Sequence, residues 1–130
     1  MMLWWQWQNM FLAYAVSGSV DEFVSLMNER AQELGLTNTV FKNPHGLDAE
    51  GHYSSARDMS IMASELIKHE KILEFTSIYE DYLKKNDGSS VWLVNTNKLV
   101  RFYDGVDGLK TGFTQTAGYC LTATAKKNNT

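Results

Sequence analysis

Residues 107–114 read Asp-Gly-Leu-Lys-Thr-Gly-Phe-Thr, and this stretch decides how the rest of the chain is interpreted. A second run rich in strand-forming residues follows at 117–125, Ala-Gly-Tyr-Cys-Leu-Thr-Ala-Thr-Ala. Gln115-Thr116 and Ala117-Gly118 separate the two runs, which is typical of a hairpin turn. The sequence therefore predicts a β-hairpin whose first strand carries Lys110, Thr111 and Gly112.

These three residues offer the chemistry of a strand end that binds a carboxylate. A lysine there presents a positive charge to a substrate carboxylate, or to a neighbouring hydroxyl whose proton must move. The threonine hydroxyl can hydrogen-bond the same carboxylate, and the glycine lets a ligand lie against the strand backbone. The triplet also occurs by chance, so alone it indicates no more than an exposed strand end.

The surrounding segments extend the evidence over most of the chain, from about Val16 to Lys126. They read Asn-Pro-His-Gly-Leu-Asp at 43–48, His-Tyr-Ser-Ser-Ala-Arg-Asp-Met at 52–59, Asn-Thr-Asn-Lys-Leu at 95–99 and Gly-Val-Asp-Gly-Leu-Lys-Thr-Gly-Phe-Thr at 105–114. In this order they closely resemble the D-alanyl-D-alanine carboxypeptidases, the low-molecular-weight penicillin-binding proteins, in which Lys-Thr-Gly is one of three signature motifs.

The resemblance implies an α+β fold. We expect part of a β-lactamase/transpeptidase-like domain, with helices packed against a remnant of an antiparallel sheet, the Lys-Thr-Gly hairpin, and a small second hairpin. It also implies that the intact family member is a serine peptidase that forms an acyl-enzyme with a peptidoglycan peptide or a β-lactam, needs no cofactor, and is extracytoplasmic and membrane-associated. We find no signal or anchor in this chain, so no location is predicted for the fragment itself.

By the same resemblance, Lys110 is the catalytic lysine of the third motif, Thr111 binds the substrate carboxylate, and Gly112 flanks the peptide backbone. Three charged residues in the resembling segments are interpreted as structural rather than as supports of the site: Arg57, Asp58 and Asp107.

The two other signature motifs of this family are not found. No serine is followed three residues later by lysine, so the Ser-x-x-Lys nucleophile motif is absent. The Ser-x-Asn motif would fall near residues 4–6, which read Trp-Trp-Gln. We therefore expect residues 1–130 to be a single incomplete transpeptidase-like domain, with an atypical aromatic segment at 1–16 and a family-like region at 17–126. This fragment would begin after the nucleophile and end before the next core strand.

Two functions of different class follow. The chain is either a carboxypeptidase fragment that is inactive alone, or a non-catalytic binding module that retains the carboxylate-binding strand. A β-lactamase is disfavoured by the context of the triplet.

Composition and charge limit the kinds of ligand and partner that the chain is expected to bind. The net charge of −3 and the lack of a Lys/Arg cluster argue against nucleic-acid binding. His45, His52 and Asp48 do not have the spacing of a strong metal site, so no metal is expected. The single cysteine, Cys120, is expected to be a small buried core residue. Segment 1–16 has no lysine or arginine, matches a signal peptide poorly, and is too short to span a membrane.

Helical periodicity predicts a helix over 19–34, where Ser19 and Glu22 form a capping box and Gly35 ends the helix. A second helix is predicted over about 55–69, begun by a serine cap. A short turn is predicted through 72–75.

Two short strands are predicted at 77–84 and 90–95 around the Asn-Asp-Gly turn at 86–88. They should half-bury Tyr79, Tyr82, Trp92 and Val94. A loop is predicted after residues 98–100. Since a two-stranded sheet leaves an unpaired edge, we expect self-association through that edge and the N-terminal aromatics, or dependence on a complementing segment.

Overall fold

A computed structural model describes residues 2–127, and of residues 2–6 it describes the backbone but not the side chains. The position predicted for the lost Ser-x-Asn motif, Trp4-Trp5-Gln6, therefore lies outside the described side chains, and residues 128–130 lie outside the described chain. Two compact units are present, Met1–Met62 and Ala63–Thr130.

The first unit begins with two helices, α1 at Met2–Ser17 and α2 at Val20–Glu33. The predicted caps of α2 are confirmed. Ser19 accepts a hydrogen bond from the Glu22 amide at 3.1 Å, and Gly35 ends the helix at φ +70°. That left-handed turn lets the Leu36 amide bond back to the Ala31 carbonyl at 2.9 Å.

Helix α1 carries no charged residue and presents much of its apolar surface to solvent. It contacts α2, and Ala13 is fully buried. The exposed fractions are 67% for Trp7, 80% for Phe11 and 65% for Tyr14. Among the described residues, no single helix is long and apolar enough to cross a membrane. Trp7–Ser17 and Val20–Glu33, which meet at a bend of 81°, have the length and apolar composition of a span only when they are taken together.

A loop follows α2 and leads to the third helix, α3 at Ala56–Leu66. Val40 and Tyr53 close the loop with a pair of backbone hydrogen bonds of 2.9 and 3.1 Å. Asn28 pins it to α2, since its amide nitrogen donates to the Phe41 carbonyl at 2.9 Å and its oxygen accepts from the Phe41 amide at 2.8 Å. The loop is therefore held by one backbone bridge and by the Asn28 side chain rather than by a helix or a sheet.

The second unit combines short helices with two separate two-stranded antiparallel sheets. Helix α4 covers Lys71–Thr76, and strands β1 and β2 cover Glu80–Lys84 and Ser90–Val94. Helix α5 covers Leu99–Phe102, and strands β3 and β4 cover Val106–Thr114 and Gly118–Ala125. The predicted α+β class and both predicted hairpins are confirmed.

Three details of this unit differ from the sequence prediction. Residues 71–76 and 99–102 form short helices where a turn and a loop were predicted, because four to six residues are too few to show a helical period. The predicted helix over about 55–69 ends at Leu66. Tyr82, Trp92 and Val94 are exposed rather than half-buried, at 61%, 59% and 39%, because β1 and β2 pair only with each other among the described strands.

Candidate functional site

The predicted site residues lie in the middle of β3, paired with β4. Lys110 is opposite Thr122, Thr111 opposite Leu121, and Gly112 opposite Cys120. Because side chains alternate along a strand, Lys110 and Gly112 share one face of the hairpin and Thr111 lies on the other. The Lys110 ammonium and the Thr111 hydroxyl can therefore both bind one ligand only if that ligand lies along the edge of β3.

Lys110 is exposed, and its ammonium folds back onto its own strand. Its Nζ donates a hydrogen bond to the main-chain carbonyl of Thr111. This contact brings the positive charge to the backbone of the neighbouring residue, despite the opposite directions of the two side chains. The charge is thus held beside the threonine that the family resemblance assigns to carboxylate binding.

Thr111 is partly buried, and its hydroxyl has one well-defined partner. The Oγ1 atoms of Thr96 and Thr111 lie 2.5 Å apart, close enough for a hydrogen bond in which either hydroxyl donates. Thr96 was not predicted to contact the site. The sequence at 95–97 predicts a turn, and no periodicity connects two residues 15 positions apart.

Gly112 is exposed and has open space where a side chain would be. A Cβ built at this position meets, among the described atoms, only the Cys120 Cβ at 4.0 Å, which is an ordinary contact. The chain itself would therefore tolerate alanine at this position. The absence of a side chain leaves the face of the strand free for a ligand.

Cys120 is exposed, so the expectation of a buried core residue was wrong. It lies on the same face as Lys110 and Gly112. Thr76 of α4 contacts this face at Gly108, whereas the part around Cys120 is exposed. Its Sγ has weak contacts to the carbonyls of Ala117 and Gly118 at 4.0 and 3.9 Å. An apolar strand sequence indicates burial only where a second layer covers it.

The base of β3 is held by side chains from preceding segments. Thr76, at the end of α4, donates from Oγ1 to the Asp107 carbonyl at 2.8 Å. Asn97 is 3% exposed and donates from Nδ2 to the Gly108 carbonyl at 2.8 Å. Its Oδ1 accepts from the Leu99 amide at 3.2 Å. These bonds fix the start of the strand that carries Lys110.

Asp58, which was interpreted as structural, lies in the first unit and is fully buried. Its Oδ2 accepts from the Asn38 amide and the Thr39 hydroxyl, each at 2.8 Å. Desolvation would raise the pKa of Asp58, but hydrogen bonds from Thr39, Asn38 and Ser55 and the charge of Arg57 outweigh it and lower that pKa below the ordinary value. The carboxylate therefore ties the loop to the start of α3.

The histidines considered for a metal site bind the local backbone instead. His52 Nδ1 accepts from the Lys42 amide at 3.1 Å, and His45 Nδ1 accepts from the Leu47 amide at 3.3 Å. Desolvation, and secondarily the nearby charge of His45, lower the pKa of His52 against the opposing effect of Asp48. Within residues 2–127, no three His, Cys, Asp or Glu side chains lie close enough together to hold a metal ion.

Known proteins similar to this chain agree with the motifs. The family model described as D-alanyl-D-alanine carboxypeptidase matches residues 9–130. D-alanyl-D-alanine carboxypeptidase DacF of Bacillus subtilis is 63% identical over 118 residues, which are 91% of this chain and 30% of DacF. The DacA carboxypeptidase of Haemophilus influenzae is 42% identical over 122 residues, 91% of this chain and 29% of DacA.

Solved structures give the same result. Penicillin-binding protein 5 from Haemophilus influenzae superposes with a TM-score of 0.79 at 39% identity, covering 92% of this chain and 34% of that chain. A penicillin-binding protein from Listeria monocytogenes with ampicillin bound superposes with a TM-score of 0.76 at 35% identity, covering 93% and 49%. The chain spans about 30% of the length of these curated relatives. Its sequence and its fold show that it belongs to the D-alanyl-D-alanine carboxypeptidase family.

Proposed function

We propose that β3 is the carboxylate-binding strand of a serine-type D-alanyl-D-alanine carboxypeptidase that acts on peptidoglycan stem peptides. The observation that carries the proposal is the placement of the Lys110 ammonium on the Thr111 backbone, beside the open strand face at Gly112. The membership of the chain in this family supplies the substrate class. The names of DacF and DacA state carboxypeptidase activity for those proteins, of which this chain spans under a third.

The binding step is an exchange of hydrogen bonds at Lys110. In the structure the ammonium donates to a neutral carbonyl, that of Thr111. A terminal carboxylate of the peptide would replace that carbonyl as the acceptor, and its negative charge would add an attraction to the ammonium that the neutral carbonyl lacks. The Thr111 hydroxyl would donate a second hydrogen bond to the same carboxylate. Gly112 would leave room for the peptide beside the strand.

We further propose that these 130 residues alone do not hydrolyse the peptide. The sequence has no Ser-x-x-Lys pair, which in this family supplies the nucleophile and its base. Loss of one member of a cooperating catalytic group removes most of the rate enhancement. The alternative function, a non-catalytic binding module, uses the same strand and the same ligand and differs only in having no covalent step in any context.

The substrate class places the function outside the cytoplasm, at the peptidoglycan.

We also propose that the chain self-associates. Strand β3 pairs, within the described residues, only with β4, and the N-terminal Trp7 and Phe11 are largely exposed. Sedimentation velocity at increasing concentration tests this, and a monomer at every concentration would contradict it.

Two experiments test the function. The first is incubation with a fluorescent penicillin, followed by denaturing electrophoresis and intact mass. No covalent adduct is expected, and a stable adduct would refute the proposed inactivity.

The second experiment is an NMR titration of the ¹⁵N-labelled chain with N-acetyl-D-alanyl-D-alanine, with the corresponding C-terminal amide as ligand control. The amides of residues 110–112 should shift with the acid and not with the amide. A hydrogen bond to a charged group contributes about 1.5–3 kcal/mol, so Lys110→Met should weaken binding by about tenfold or more. Lys98→Met, at an exposed lysine outside the strand, is the matched control. Equal binding by both variants would refute the role of Lys110.

A further inference from the structure

We infer that Thr96 is a positioning residue that holds the Thr111 side chain in one rotamer and leaves the Thr111 hydroxyl proton free for the ligand, an inference that rests on the proposed carboxylate-binding role of Thr111. The two Oγ1 atoms lie 2.5 Å apart. Thr96 is exposed and lies in the turn between β2 and α5. A side chain in this position contributes little to a core, so its contact with Thr111 is its main interaction with β3.

Each threonine hydroxyl carries a single proton. A threonine hydroxyl donates one hydrogen bond and accepts two. If Thr111 donates to Thr96, it has no proton left for a carboxylate. If Thr96 donates to Thr111, the Thr111 proton is free to bind the ligand. A bound carboxylate can only accept, so ligand binding selects the second arrangement, and the donated bond from Thr96 polarises the Thr111 hydroxyl further.

Thr96 can perform this role because both of its neighbours are anchored. The preceding residue, Asn95, donates from Nδ2 to the carbonyls of Thr76 and Ile78 at 3.0 Å each. The following residue, Asn97, donates to the Gly108 carbonyl at 2.8 Å. The Asn97 amide also donates to Asn95 Oδ1 at 2.9 Å. The turn thus holds Thr96 beside β3 through the bonds of its two neighbours, and the Thr96 hydroxyl is placed to contact Thr111.

A pair of substitutions separates the hydroxyl from the shape of the side chain. Thr96→Val keeps the shape and removes the hydroxyl, whereas Thr96→Ser keeps the hydroxyl. The first readout needs no ligand: the χ1 rotamer of Thr111, measured from three-bond couplings and the methyl ¹³C shift. Thr96→Val should leave Thr111 averaging between rotamers, and Thr96→Ser should restore the single rotamer of the parent chain.

The second readout is the affinity for N-acetyl-D-alanyl-D-alanine. Thr96→Val should weaken binding by about threefold to tenfold, the range for one neutral hydrogen bond, and Thr96→Ser should restore it. Thr116→Val, at an exposed threonine in the β3–β4 turn, is the matched control and should change neither readout. The urea midpoints of all three variants should equal that of the parent, which excludes a loss of folding.

The outcomes distinguish this inference from the function on which it rests. An unchanged Thr111 rotamer in Thr96→Val refutes the positioning role, whether or not the ligand binds. A changed rotamer in a chain that binds no carboxylate supports the contact between the two threonines and refutes the proposed function. Equal affinity of Thr96→Val and the parent, with a changed rotamer, refutes the link between hydroxyl direction and binding.

Discussion

Substitution of Gly108 by alanine should destabilise the second unit, whereas the same substitution four residues later should not. Gly108 is buried at the start of β3. A Cβ built on it lies 2.7 Å from Thr76 Oγ1 and 3.0 Å from Thr124 Oγ1. A Cβ built on Gly112 meets only the Cys120 Cβ, at 4.0 Å, among the described atoms. The same substitution, glycine to alanine, can thus be compared at a crowded position and at an open position of one strand.

The size of the effect follows from three contributions. Overpacking of a filled site costs about 1–3 kcal/mol. Thr76 can move aside only by giving up its 2.8 Å bond to the Asp107 carbonyl, which costs about 1 kcal/mol. The reduced freedom of alanine in the unfolded chain returns about 0.4–1 kcal/mol. Gly108→Ala should therefore lower the free energy of unfolding by about 1–3 kcal/mol, and Gly112→Ala should raise it by about 0.4–1 kcal/mol.

Urea unfolding followed by circular dichroism measures both variants. With a urea dependence of about 1–3 kcal/mol per molar, the midpoint of Gly108→Ala should fall by about 1 M. A double-mutant cycle with Thr76→Ala tests the cause, because removal of the Thr76 hydroxyl relieves the closest contact. The double variant should then be more stable than the sum of the single effects by about 1 kcal/mol. Equal midpoints for the two glycine variants, or strict additivity in the cycle, would refute the reasoning.

Three further predictions concern buried and exposed polar groups. Asn97→Ala removes the bonds to the Gly108 carbonyl and the Leu99 amide and should cost about 2–4 kcal/mol in urea unfolding, whereas Lys98→Ala should change stability by less than about 0.5 kcal/mol. The pKa of His52 is lowered from 6.5 in the folded chain, so the unfolded chain binds more protons and the free energy of unfolding should fall as the pH drops below 6.5. His52→Asn should make the free energy of unfolding depend less on pH in this range, and an unchanged dependence would contradict the lowered pKa of His52. Cys120 should react with Ellman's reagent in the native chain within about tenfold of its rate in urea, and strong protection would show that it is covered.

The sequence predicted the secondary structure of the site well. The β3–β4 hairpin followed from two strand-forming runs and a turn, and the caps of α2 followed from Ser19 and Gly35. These features are local, since each depends on residues a few positions apart whose backbone preferences are known. The family resemblance added the proposed roles of Lys110 and Thr111, which no local preference could supply.

The contacts between elements were not predictable in the same way. Thr76 reaches a carbonyl 31 positions away, and Asn97 reaches one 11 positions away. Both are polar residues that donate to a backbone carbonyl, and such bonds leave no period or spacing in a sequence. The only signal was the density of asparagine and threonine at 95–97, which indicates a turn equally well.

Burial was predicted poorly for a different reason. Cys120 and Trp92 are strand residues of apolar character, and the expectation that they are covered assumed a second layer on both sheets. An apolar residue is favourable at a position that another element covers, but it is buried only if that covering element is present. Each described sheet has two strands, and two strands alone bury little apolar surface. Cys120 is therefore exposed because its sheet is small and uncovered at that point, and its exposure does not indicate that the face is polar. For the same reason the strand face at Gly112 is open to a ligand.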